Sequence, residues 1–268
     1  LKISVVIPTF NRAGFVQKAI DSVLNQTVSV DEIIIVDDGS TDNTREVLEH
    51  NSSIKYIYQE NSGVSSARNK GVFEAKNDWI AFLDSDDTWH EEKIEKQMYL
   101  HLQNDSILIS HTDELWNRNN KIIKQKYHQL KPSGFCFLDN VPSCKIGPST
   151  TLLHKSVLED VGYFDEELIV CEDYDLWLRV LLKYELGYLD EKLITKYAGH
   201  DNQLSFSTFA IDKYRIQALE KHLKGEYKTE IKEEILKKCA VLLKGAHKHN
   251  NLDIISVYEK KVKQLDNT

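Results

Sequence analysis

Long apolar runs are missing from this chain. In 268 residues no apolar run reaches the length needed to cross a bilayer, which takes roughly 20 residues as a helix. A spanning helix is therefore not expected. No signal-peptide pattern is present either: the N-terminus enters a strand-like run directly, and Leu1 is not a natural first residue. The expectation is a chain without a leader at this end. Paired cysteines are also lacking. Cys136, Cys144, Cys171 and Cys239 fall singly, without the spacing of a structural metal site. Free thiols in a reducing cytoplasm follow as the expectation. Basic charge is not in excess: 34 Lys and Arg stand against 42 Asp and Glu, a net charge of −8. It is unevenly spread, with 13 basic and 9 acidic residues over 211–268 and 21 against 33 before them. Such an acidic body would not attract nucleic acid by charge, so no nucleic-acid partner is expected. Internal repeats and low-complexity segments are absent, and the length suits one large domain with an appendage.

What is present centres on Asp84-Ser85-Asp86-Asp87, directly after the apolar run Trp79-Ile80-Ala81-Phe82-Leu83. Three carboxylates in four positions would repel and raise one another's pKa. A divalent cation removes that conflict, since hard cations take carboxylate and phosphate oxygens. Ligands collect at the carboxyl ends of strands in open α/β sheets. The competing reading is a solvated acidic turn, with Asp87 capping the next helix.

The N-terminal half alternates strand and helix patterns. Ile3–Ile7 is a β-branched run stopped by Pro8-Thr9. Phe15, Val16, Ala19, Ile20, Val23 and Leu24 recur at helical spacing. Glu32–Val36 is a second strand ending in Asp37-Asp38-Gly39-Ser40. Ser40 to Asp42 offer caps for a short helix through Leu48, Ile54–Tyr58 is a third strand, and Val64–Lys76 reads as a helix. This order indicates a Rossmann-like, mostly parallel sheet with helices on both faces.

Five blocks then carry a resemblance. They are Val5-Val6-Ile7-Pro8-Thr9-Phe10-Asn11-Arg12, Ile35-Val36-Asp37-Asp38-Gly39-Ser40-Thr41-Asp42, Asn61-Ser62-Gly63-Val64-Ser65-Ser66-Ala67-Arg68-Asn69, Phe82-Leu83-Asp84-Ser85-Asp86-Asp87, and Val161–Glu166 with Glu172–Arg179. In this order the chain resembles the family 2 inverting glycosyltransferases over roughly residues 1 to 205. The resemblance implies an α/β chain of GT-A fold that transfers a sugar from a nucleoside diphosphate. It implies a catalytic domain over 1–210, with a nucleotide-binding half over about 1–115 and an acceptor-side half over about 116–210. Residues 211–268 then form a C-terminal helical extension. The acceptor it implies is a glycan or a lipid-linked saccharide of a bacterial surface polysaccharide.

Roles follow residue by residue. Asp86 is the expected ligand of Mn²⁺ or Mg²⁺, and Asp84 and Ser85 line the nucleotide. Pro8, Thr9 and Asn11 form a loop whose backbone approaches the nucleotide. Asp37 would accept from the N3–H of uracil, which favours a UDP-sugar, and Asp38 would orient the loop or contact ribose. Arg68 would line the pocket; alternatively Asp37 and Asp38 fold their own turn and Arg68 neutralises them. His200, in Gly199–Ser205, would reach the metal or the diphosphate. Asp173 is the expected general base, with Glu172 its rival; Asp173 could instead cap a helix. Ser149-Thr150-Thr151 would face the acceptor or serve ordinary strand bonding.

Two other function classes remain open in the residues: a nucleotide-sugar-binding relative without transfer, and a sugar nucleotidyltransferase. The second usually carries a Gly-rich basic phosphate loop, whereas this chain has Pro8-Thr9-Phe10-Asn11 with only Arg12 basic. Residues 116–148 are the least regular stretch and suit a mobile loop region over an active site. In the tail, Ile231, Ile235, Cys239, Leu242 and Ala246 form one helical stripe and Ile255, Tyr258, Val262 and Leu265 another. They would pack on the catalytic domain or on each other, or join two chains as a homodimer. Their basic surroundings are a solvated face or a peripheral contact with an anionic membrane.

Overall fold

Buried β-branched runs build the sheet. Every residue of Ile3–Thr9 (β1) is buried, as is all of Glu32–Asp38 (β2) beyond its first residue, the pattern of parallel strands covered on both faces. The computed structural model describes residues 1–119, 121–123, 130–199 and 210–267. His200 and the rest of its run through Ser205 lie outside the described residues.

β1 lies between β2 and Trp79–Phe82 (β4), parallel to both, and β2 pairs in parallel with Lys55–Gln59 (β3). Helices Val16–Leu24 (α1), Thr44–Leu48 (α2) and Val64–Glu74 (α3) connect these strands. Beyond β4 the sheet turns mixed. Leu152–His154 (β8) pairs antiparallel with β4 and with Ile109–Arg118 (β6). β6 runs parallel to Leu186–Ala198 (β9), and Asp87–Trp89 (β5) closes the edge against β9. The strand order is β3-β2-β1-β4-β8-β6-β9-β5, with Lys121–Ile123 (β7) paired to β6. Lys93–Gln103 (α4), Phe137–Asn140 (α5), Lys155–Val161 (α6) and Glu172–Leu181 (α7) complete this α/β body.

The two-residue period of β1 divides the core. Ile3, Val5 and Ile7 pack with Val16, Ala19, Ile20 and Val23 of α1. Val6 belongs to the opposite layer, with Ala67 and Val72 of α3 and Tyr174, Trp177 and Leu178 of α7. Asp212–Glu220 (α8), Lys228–Lys248 (α9) and Leu252–Asp266 (α10) follow. Ile216, Leu219, Ile231, Ile235, Cys239, Leu242, Tyr258 and Leu265 join that same layer. Most of both tail stripes thus packs within the chain. All four cysteines are free. Among the described residues no helix is long and apolar enough to cross a membrane.

Several expectations need correction. β1 runs on through Pro8 and Thr9. Val6 accepts from the Leu83 N–H, so Val6 and, two residues on, Pro8 turn their polar groups toward β4. The β4 ladder ends at Val6–Phe82, so the missing N–H of Pro8 costs no ladder bond. Leu24, at the edge of the α1 stripe, is exposed. Asp87 caps no helix: it opens β5, and α4 begins only at Lys93. Residues 116–148 are more regular than expected, holding the end of β6, β7 and α5, with positions 120 and 124–129 outside the described residues.

Candidate active site

The carboxyl ends of β1, β2 and β4 meet in three tied loops. Asn11 adopts φ 53°, a left-handed conformation that Asn tolerates. Its Oδ1 accepts from the N–H groups of Thr41 (2.7 Å) and Asp42 (3.2 Å), and its own N–H donates to Ser40 Oγ at 2.9 Å. Gly39 has φ +81°, and a Cβ there would stand 2.7 Å from the Asn61 nitrogen, so the turn requires glycine. Asp37 is fully buried. Its Oδ1 accepts from the Ser40 N–H at 2.9 Å and its Oδ2 from the Tyr56 hydroxyl at 2.8 Å. Asp38 accepts from the N–H groups of Ser62 (2.8 Å) and Gly63 (2.9 Å) and from Gln59 Nε2 (2.7 Å). The two carboxylates therefore fold the loops around them. Thr9, beside Pro8, is buried with a hydroxyl that makes no hydrogen bond among the described residues.

Arg68 does not neutralise Asp37 and Asp38. Buried at 4 % exposure, it donates from Nη2 to Asp84 Oδ1 at 2.7 Å and from Nη1 to Glu172 Oε1 at 2.7 Å. Its guanidinium lies over the Phe164 ring, 5.2 Å from the centroid. One side chain thus joins the acidic loop to the start of α7. Burial raises the Asp84 pKa, but the Arg68 charge outweighs it and holds the carboxyl below its ordinary value. Burial, then repulsion from Asp173, pushes Glu172 up to about 7 against the pull of Arg68.

The rest of the acidic loop divides its attachments. Asp87 is buried and accepts from Ser149 Oγ at 2.7 Å, while Ser149 Oγ accepts from the Asp84 N–H at 3.0 Å. Ser149 and Thr150 therefore form a buried brace in a 3-10 turn that Thr151 ends, directly before β8. Burial, with Asp84 and Asp86 repulsion, raises the Asp87 pKa well above its ordinary value, opposed by Lys196. Ser85 is buried. Asp86 is 20 % exposed, 3.8 Å from Arg12 Nε.

Asp173 is half-buried inside the first turn of α7 rather than capping it. The N-cap is Cys171, at φ 64° and without a side-chain bond. Asp173 Oδ1 accepts from the Tyr174 N–H at 2.7 Å, and Oδ2 receives the Cys144 thiol at 3.6 Å.

A basic flank lies beyond the residues to which the sequence points. Lys196 on β9 stands opposite Asp87 in the β5 ladder. It lies 4.0 Å from Glu114 on β6, whose other oxygen meets Lys131 Nζ at 3.1 Å. Burial opposes the Glu114 charge, yet the two lysines hold its pKa down at about 2. The only sequence signal was charge placed inside strand-like runs, and nothing local states which strands pair.

Among the described residues no three His, Cys, Asp or Glu side chains converge as a metal cluster. Mg²⁺ needs only one or two carboxylates when phosphates and water complete its shell, and Mn²⁺ likewise takes oxygen ligands. Asp86, a carboxylate of the acidic loop that is 20 % exposed, fits that requirement.

The sheet and loops are those of a GT-A glycosyltransferase. Residues 4–173 match the glycosyl transferase family 2 profile, and the chain belongs to that family. It is 31% identical over 211 residues to the Escherichia coli UDP-Glc:alpha-D-GlcNAc-diphosphoundecaprenol beta-1,3-glucosyltransferase WfgD, covering 77% of this chain and 81% of WfgD. The chain spans 32% of one Rickettsia conorii glycosyltransferase that it matches and 80% of one from Rickettsia typhi. Staphylococcus aureus TarS 1–349, solved with UDP-GlcNAc, superposes with a TM-score of 0.71 at 19% identity, over 89% of this chain and 71% of that one. The mannosyltransferase PcManGT of Pyrobaculum calidifontis, solved with GDP-Man and Mn²⁺, gives 0.63 at 14% identity, over 99% and 84%.

Proposed function

We propose that this glycosyltransferase moves a hexosyl or N-acetylhexosaminyl group, with inversion, from a UDP-sugar to a hydroxyl of a glycan or lipid-linked saccharide in surface polysaccharide synthesis. The observation that carries the reading is the Arg68 bridge. It fixes Asp84 of the acidic loop and Glu172, neighbour of Asp173, on one guanidinium at 2.7 Å each. The donor-side and acceptor-side blocks are thereby tied to one buried side chain.

In this reading residues 1–210 are the catalytic domain and 211–268 a helical extension. Asp173 takes the proton of the acceptor hydroxyl as that oxygen attacks the anomeric carbon. The attack comes from the face opposite the leaving diphosphate, so the base must come from a different segment than the acidic loop. Arg68 orients both acidic segments. Mn²⁺ or Mg²⁺ held at Asp86, with His200 as a further candidate ligand, would offset charge on the departing phosphates. Pro8, Thr9, Asn11, Asp37, Asp38, Asp84 and Ser85 line the nucleotide, and the orphaned Thr9 hydroxyl supports that assignment. Asp37 is already bonded through both oxygens, so contact with uracil uses a remaining lone pair. A lipid-linked acceptor would bring the chain to the cytoplasmic face of a membrane.

The test is calorimetry with UDP, dTDP and GDP in the presence of Mn²⁺. UDP or dTDP should bind most tightly, and Asp86→Asn should lose the metal-dependent part of binding while keeping the fold. Tightest binding of GDP would overturn the uracil reading. An unchanged metal requirement in Asp86→Asn would overturn the ligand assignment.

A further inference from the structure

β9 carries a lysine to the acidic loop. Lys196 stands directly across the antiparallel β5–β9 ladder from Asp87, and across the parallel β6–β9 ladder from Trp116. Its side chain is 19% exposed. Among the described residues its ammonium donates no hydrogen bond: Glu114 Oε2 lies at 4.0 Å and the Trp116 ring centroid at 5.6 Å. A largely buried ammonium with three undirected donors is costly unless a ligand takes them. The neighbouring carboxylate is itself held in place. Glu114 is gripped by Lys131 at 3.1 Å and by the Trp116 indole N–H at 2.9 Å. Gly147 packs close to the ammonium: a Cβ there would stand 2.7 Å from Lys196 Nζ and 3.5 Å from Glu114 Oε2. Burial opposes its charge, but Glu114, Asp87, Asp84 and Asp173 together keep the ammonium protonated above its ordinary range.

We propose that Lys196 is a second cation for the donor's diphosphate, donating a hydrogen bond to the phosphate oxygen that leaves. This rests on the glycosyl-transfer reading above. As the acceptor oxygen bonds to the anomeric carbon, the carbon–oxygen bond to the diphosphate breaks and its electron pair goes to that phosphate oxygen. The acceptor proton goes to Asp173. Lys196 keeps its proton and stabilises the new charge, as preorganised donors do in a partly dry site. Lys196 comes from β9, a different segment from Asp86, so the two contributions can be removed separately.

The experiment is a calorimetric titration of UDP into wild type, Lys196→Met and Asp86→Asn, each in chelator and in Mn²⁺, with kcat measured alongside. Lys196→Met should weaken UDP binding in chelator by about tenfold or more and lower kcat by about 10²-fold, the scale of losing one such donor. It should keep the gain in affinity on adding Mn²⁺, which Asp86→Asn loses. Gly147→Ala moves the ammonium without removing it, at a flexible chain end that yields cheaply, and should reproduce part of both losses with an unchanged melting temperature. Lys196→Arg should restore part of both. Equal UDP affinity and kcat in wild type and Lys196→Met would overturn the proposal while leaving the transferase reading intact. Failure of wild type to bind UDP, dTDP or GDP in either condition would overturn that reading and the proposal together.

Discussion

Two neighbouring carboxylates on α7 carry different physics. Glu172 is nearly buried and bonded to Arg68, whereas Asp173 is half-buried and, among the described residues, bonded to its own helix and a thiol. A base must be reachable by a hydroxyl, and Asp173 is the more open of the two. General-base catalysis contributes about 10²–10⁴-fold. Asp173→Asn should lower kcat by about that factor with donor affinity nearly intact; near-normal turnover there, with collapse in Glu172→Gln, would move the role to Glu172. Glu172 also leaves a stability signature. Its pKa rises from 4.5 unfolded to about 7 folded, so between those values the folded chain holds a proton that the unfolded chain has lost. Its stabilising contribution is full below 4.5 and is lost as pH rises through about 7. The slope is at most about 1.4 kcal/mol per pH unit. Urea denaturation at about pH 5, 6 and 7 should show the difference between wild type and Glu172→Gln shrinking in that direction; a pH-independent difference would rule out the shifted titration.

Elements differed in how far their own residues announced them. β1, β2 and β4 were legible because strands covered on both faces need continuous β-branched or aromatic runs, and their turns need Gly39 and Asn11. The acidic loop and the α7 block were legible because unpaired charge beside apolar runs has few explanations. The destination of each charge was not. Arg68 meets Asp84 and Glu172, 16 and 104 positions away, and only the folded topology supplies that. β5 illustrates the same gap: Asp87, which reads as a helix cap, opens an edge strand because β9 offers a partner. Close packing between elements was equally silent. Gly71 of α3 lies against β1, and a Cβ there would stand 2.3 Å from Val6 Cγ1. Gly71→Ala should push α3 off the sheet and cost about 1–3 kcal/mol, read as a lower urea midpoint; an unchanged midpoint would mean that the helix shifts without loss.

At the scale of the whole molecule, the question is whether the catalytic body stands without its C-terminal helices. α8 packs on α7, α9 on α8, and α10 on α9. Ile216, Leu219, Ile231, Ile235 and Leu242 bury their side chains in the layer that holds Tyr174 and Trp177. Polar ties cross the same seam: Lys221 reaches Asp165 and Asp175 at 2.6 Å each, and Lys238 donates to the Pro142 carbonyl at 2.8 Å. Burying each such aliphatic side chain contributes about 1.5–3 kcal/mol, so five amount to roughly the 5–15 kcal/mol that a whole domain retains. The Lys221 ties contribute far less, because Lys221 is about one-third exposed and screened by water. Apolar burial therefore decides the outcome. Truncation after Ala210 should leave a chain that binds a hydrophobic dye and lacks a cooperative melt, and it should also lose UDP binding, because α7 carries Glu172 and anchors Arg68. A truncated chain that melts cooperatively near the wild-type temperature would show that α8–α10 are dispensable to the fold and that their role lies with the acceptor or a surface.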